Sequence, residues 1–156
     1  MSKIRELEAH IQQNLDQVSC PVRHYFVNNA DGKPCMMARE MTIPAGVMLT
    51  GAMHKTEHLN TISAGRIIVY TEHDDGTTSQ TEVAAPNTFI SQPGIKRAGF
   101  ALEETVWTTY HVTATTDIDA LVEELTDMRN CELLGGRDNV QLLNQKQREL
   151  THVAEE

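Results

Sequence analysis

From Val22 to Val112 the chain is a succession of short β-branched and aromatic runs, each closed by a turn signal, and no other feature restricts its fold as much. The runs are Val22–Val27, Met36–Ile43, Val47–Thr50, His58–Ile62, Arg66–Thr71, Thr78–Val83, Thr88–Ser91, Arg97–Leu102 and Thr105–Val112. Asn28-Asn29-Ala30-Asp31-Gly32 and Asp74-Asp75-Gly76 predict turns in which a glycine takes positive φ at little steric cost. Pro44-Ala45-Gly46, Ala64-Gly65 and Pro93-Gly94 mark three further corners. Short strands at this spacing predict an all-β sandwich or barrel.

Both flanks read differently. Ile4, Leu7, Ile11, Leu15 and Val18 recur at helical spacing up to Pro21, which predicts a helix over 1–20. After the β region, Ile118, Leu121, Val122, Leu125 and Met128 form one apolar stripe, with Asp117 and Asp119 favourably placed at its N-terminus. A last helix is expected from Asp138, where Asp138-Asn139-Val140-Gln141 resembles a capping box, with a frayed polar end from Lys146. The chain therefore reads as one domain: an N-terminal helix, a β-core over 22–112, and two helices over 116–152.

Composition narrows the function classes. A length of 156 residues fits one domain with a real core. Three scattered cysteines without a C-x-x-C argue against a disulfide framework or a cysteine zinc knuckle. No apolar leader or membrane-length run is visible, so a cytoplasmic protein without a membrane partner is expected. A net charge of −9 argues against nucleic acid, whose phosphates need a clustered positive field. The seven histidines are what invite chemistry.

The densest constellation is His54-Lys55-Thr56-Glu57-His58. On a helix the two histidines would share a face, and the string would match H-x-x-E-H, the pattern of inverted zinc peptidases such as pitrilysin. Glycine and β-branched flanks disfavour a helix interior there. On a strand, His54, Thr56, His58 and Asn60 would point to one side.

In the strand reading the sequence resembles a cupin. The first cupin motif runs from a glycine through H-x-H and a glutamate to a second glycine. Here His54 stands at the second histidine, His58 at the glutamate and Gly65 at the closing glycine, while Ala52 occupies the first histidine position. The run Gln92-Pro93-Gly94-Ile95-Lys96-Arg97 is similar to the second motif, with Arg97 where its histidine would stand. Gly94–Ala98, Glu103–Trp107 and Tyr110-His111 also resemble small cupins of tailed phages, which would place the protein in a host cytoplasm. The resemblance implies a mainly β fold, a small jelly-roll barrel with one N-terminal helix and two C-terminal helices, and a homodimer.

Two motif ligands are lost and a third, the glutamate, has become an imidazole, so the metal set has to be rebuilt. His111, on the last strand, is the candidate third ligand beside His54 and His58. Three neutral imidazoles can hold a divalent first-row metal such as Zn, Fe, Mn or Ni. The same residues can instead be polar barrel side chains satisfied by hydrogen bonds. Trp107 shares the His111 face and would line the interior. Lys96 and Arg97 are the candidate clamp for a small anion, against an ordinary charged loop. Glu57 is the candidate proton shuttle, provided a bulge re-aims it. His10, His24, His73 and His152 read as solvent-facing, Met36, Met37, Met41, Met48 and Met53 as core filler, and Cys35 as a small buried hydrophobe. The functional expectation is a metal-binding cupin that binds or transforms a small anionic metabolite, as an oxygenase, isomerase or hydrolase if it is an enzyme. A non-catalytic module that sequesters a ligand or a partner protein is the alternative.

Overall fold

The computed structural model describes residues 3–13 and 20–126. Among them the short runs become nine strands: β1 (Val22–Asn28), β2 (Pro34–Ile43), β3 (Met48–Thr50), β4 (His58–Ala64), β5 (Arg66–Glu72), β6 (Thr78–Ala84), β7 (Asn87–Ser91), β8 (Lys96–Ala101) and β9 (Thr105–Val112). Two helices flank them, α1 (Lys3–Gln13) and α2 (Ile118–Leu125). The expected helix from Asp138 lies outside the described residues, as do Leu15, Val18, Met128, Cys131 and His152. No helix among the described residues is long and apolar enough to cross a membrane.

The strands form two antiparallel sheets, ordered β1-β2-β9-β4-β7 and β3-β8-β5-β6. Sequence neighbours are often not sheet neighbours: β9 returns to lie between β2 and β4, and β8 between β3 and β5. The outcome is a mainly β jelly roll whose two sheets share one core. Met41 and Ile43 on β2 and Ile62 on β4 pack against Ile67 and Val69 on β5 and Ala101 on β8. Ile43, Ile62 and Ile67 are fully buried, and each contributes about 2–3 kcal/mol of apolar burial.

Turn chemistry sets the corners. At the β5–β6 hairpin, Asp75 Oδ1 accepts from the Thr77 backbone N–H at 2.9 Å and from its hydroxyl at 2.6 Å. Asp117 caps α2, its Oδ1 accepting from Asp119 N at 3.0 Å. Leu121 and Leu125 then pack on Met37, so α2 covers one end of the space between the sheets.

Sheet register decides which side chains meet in that space. On β9 the inward positions include Trp107, Thr109 and His111. Arg39 on β2 pairs with Thr109 and Met37 with His111, while on β4 Asn60 pairs with Thr109. Successive layers follow along the strands: Met37 and His111 under α2, then Arg39, Thr109 and Asn60, then Met41 and Trp107 toward the core.

Candidate metal centre

Between the sheets lies a cavity of about 300 Å³, in the range of small-molecule sites. His54, His58 and His111 meet in it. One ring nitrogen from each lies within 4.8 Å of the other two. Ring centroids are 4.2 Å apart for His54–His58, 4.7 Å for His58–His111 and 5.0 Å for His54–His111. His111 comes from β9 and His58 opens β4, as the strand reading anticipates.

His54 corrects that reading. It does not share a strand with His58 but sits in the 51–57 connection, where it forms an isolated bridge with Thr126 just past α2. Backbone bonds fix it there: Gly94 N donates to the His54 carbonyl at 2.9 Å and Lys55 N to the Leu125 carbonyl at 2.9 Å. Lys55 Nζ adds a bond to the Glu123 carbonyl at 2.7 Å. The H-x-x-E-H reading fails at the same place. Residues 54–58 are bridge, bend and strand rather than helix, so Glu57 is exposed and does not reach the cavity.

All three imidazoles are neutral near pH 7. Desolvation, with the positive fields of His58, His111, Arg39 and Arg97, holds His54 down at about 3. Desolvation, His58 and Arg39 hold His111 at about 4. Burial also lowers His58, against the opposing pull of the Thr56 carbonyl. That carbonyl accepts from His58 Nδ1 at 3.1 Å, which requires the proton on Nδ1 and leaves Nε2 as a lone-pair donor. His111 Nδ1 is buried without a hydrogen-bond partner. An orphaned buried nitrogen beside two other neutral imidazoles is the donor set a first-row divalent metal takes.

Of the two residues expected to clamp an anion, only Arg97 lines the cavity. Adjacent positions on β8 point to opposite sides, and Lys96 is buried with Nζ donating to the Gly51 carbonyl at 2.9 Å. Arg97 Nη1 donates to Ser91 Oγ, and its guanidinium lies 5.9 Å from the Phe89 ring centroid. Trp107 lines the cavity as expected, with its ring edge-on to Phe89 at 5.7 Å. His24 is exposed on β1 but borders the cavity, and His10 and His73 are exposed. Met37 and Met41 are core residues, whereas Met36, Met48, Met53 and Cys35 are half-buried.

Sequence reasoning misses two residues that build the site, Arg39 and Ser91, and puts Asn60 on the histidine face without giving it a role. Trp107 Nε1 donates to Asn60 Oδ1 at 3.0 Å, and Asn60 Nδ2 donates to Ser91 Oγ at 2.8 Å. Asn60 thereby links the Trp107 indole to the hydroxyl that receives Arg97. The available signal was alternation: Arg39 lies between Met37 and Met41 on an inward face, and Asn60 is two residues from His58. We expect Asn60→Ala to lower unfolding free energy by about 2 kcal/mol, because it strips the partner from the Trp107 N–H and leaves a buried void. Urea unfolding measures it, and a change below about 0.5 kcal/mol would show that the network is not structural.

No family model matches the sequence, and neither does any curated protein. Solved structures do match. The oxalate decarboxylase of Lactobacillus farciminis, solved as a formate complex, superposes with a TM-score of 0.54 at 12% identity, over 70% of this chain and 32% of that one. A Bacillus subtilis oxalate decarboxylase structure, from a study of its Mn(II) centres, gives 0.54 at 13% identity, over 72% and 29%. Peruvianin-I, described as a cysteine peptidase from Thevetia peruviana latex, gives 0.52 at 11% identity, over 67% and 68%. The chain thus spans about a third of the length of the oxalate decarboxylases it matches. At these identities the likeness is one of fold.

Proposed function

We propose that this chain, a cupin by fold, holds one divalent first-row transition metal on His54, His58 and His111 and binds a small anionic metabolite beside it. The convergence of three neutral imidazole donors, His58 and His111 buried and His54 half-buried, from β4, β9 and the 51–57 connection carries the reading. Manganese is one candidate, since Mn(II) centres are named for a protein of the same fold; zinc, iron and nickel suit the same donors. Three neutral ligands leave the ion's charge uncompensated, so a bound metal would act as a Lewis acid toward an anion. Arg97 and Arg39 add positive charge to the cavity wall.

A non-catalytic role has an observation in its favour. Among the described residues no Asp or Glu lines the cavity, and Glu57 is exposed. General acid–base turnover lacks a carboxylate there, which suits sequestration of a ligand. The test is metal content after growth in metal-supplemented medium. Stoichiometric metal in the wild type, reduced more than about tenfold in both His54→Ala and His58→Ala, supports the reading, on the scale that loss of a ligand commonly exceeds. Wild-type protein without metal overturns it.

A further inference from the structure

We infer that the anion is a monocarboxylate carrying a short apolar tail, with its head at the Arg39–Arg97 layer and its tail on Met41, Leu49 and Trp107. The inference deepens the proposed anion site and does not require the metal. Its basis is the layering of the cavity. The chain carries 22 acidic residues against 13 lysines and arginines, yet the charged side chains lining this cavity, among the described residues, are Arg39 and Arg97. Asn60, Thr50, Thr109 and Gln92 are among the uncharged polar residues of the same lining. Above this belt stand His54, His58 and His111, under Ile118, Leu121, Val122 and Leu125 of α2; below it, Val22, Met41, Ile43, Leu49 and Trp107 merge with the main core.

A planar guanidinium held by Ser91 and by a ring face is prepared for a carboxylate, which it can meet with two parallel N–H donors. On the core side of the belt a second anionic group would rest among apolar side chains without a partner, a costly burial. An aliphatic or aryl tail belongs there instead, and about 300 Å³ keeps head and tail together at the small end of the range of ligand sites. The tail points to the core side because α2 forms the opposite wall and is tied to the His54 connection through Lys55.

Calorimetric titration of the full chain with acetate, butanoate, hexanoate, hexan-1-ol and hexanedioate tests this, on metal-free and metal-loaded protein. Affinity should rise from acetate to hexanoate by up to about fourfold per methylene. On the metal-free protein hexan-1-ol and hexanedioate should each bind at least about tenfold more weakly than hexanoate, the scale of one lost charge-assisted hydrogen bond or one unpaired buried charge. Leu49→Phe should move the preferred acid to a shorter chain, and Arg97→Gln should erase the preference for hexanoate over hexan-1-ol. Hexanedioate binding the metal-free protein as tightly as hexanoate, affinity independent of chain length, or no carboxylate binding overturns the inference. Metal content is read separately. Full metal with no chain-length dependence sinks this inference alone, whereas chain-length dependence without metal sinks the metal reading alone.

Discussion

Taking the metal-free protein from pH 7 to pH 5 should remove on the order of 3 kcal/mol of its stability. Folded His54 and His111 take protons only near about 3 and about 4, while unfolded imidazoles titrate near 6.5. Between those values the unfolded chain binds more protons than the folded one. Stability is therefore complete above about 6.5 and falls with pH through the window, each silent imidazole contributing about 1.4 kcal/mol per unit. His58 is displaced in the same direction. Urea midpoints at pH 7, 6 and 5 measure the slope, and a His54→Gln, His111→Gln variant should flatten it. A wild-type midpoint that does not move over this range would mean that the imidazoles are not held neutral by the fold.

Gly65→Ala should cost more than about 3 kcal/mol and sharply reduce folded yield, the range reached by overpacking combined with backbone strain. Gly65 joins β4 to β5 with φ +84, and a Cβ there would stand 2.1 Å from the Glu104 carbonyl oxygen and 2.7 Å from Thr105 Cα. Both are backbone atoms, so no rotamer relieves the clash. Gly76 also has positive φ, at +82, but a Cβ there meets nothing within 4 Å. Gly76→Ala should therefore cost only about 1 kcal/mol, the strain of a left-handed alanine. Equal losses in the two variants, by chemical denaturation, would contradict the close packing of the β4–β5 corner on the strand that carries His111.

The β region was legible because local signals agreed. Val22, Arg66, Thr78 and Thr105 open strands where their runs begin, since β-branched runs ended by glycine, proline and aspartate leave few other ways to satisfy the backbone. Sheet order was not legible. That β9 lies between β2 and β4 depends on contacts far apart in sequence, and only the jelly-roll resemblance carried that information.

The site was readable in part for the same reason. His58 and His111 lie on regular strands, so alternation placed them. His54 is positioned by bonds to Gly94 and by the Thr126 bridge, long-range pairings that a local pattern cannot encode. Lys96 and Arg97 looked equivalent as adjacent cations, but a strand sends neighbours to opposite faces, and only Arg97 enters the cavity. Arg39 was hidden among methionines: alternation with Met37 and Met41 puts it on the inward face, and its register opposite Thr109 brings it to the histidines.

X-ray absorption at the edge of the bound metal addresses the central claim most directly. Wild-type protein loaded with Mn²⁺ or Zn²⁺ should show scattering from three imidazoles, falling to two in His111→Ala with weaker retention of the ion. A protein that takes up no metal, or one whose ligand shell is unchanged by His111→Ala, would contradict a centre built on His54, His58 and His111.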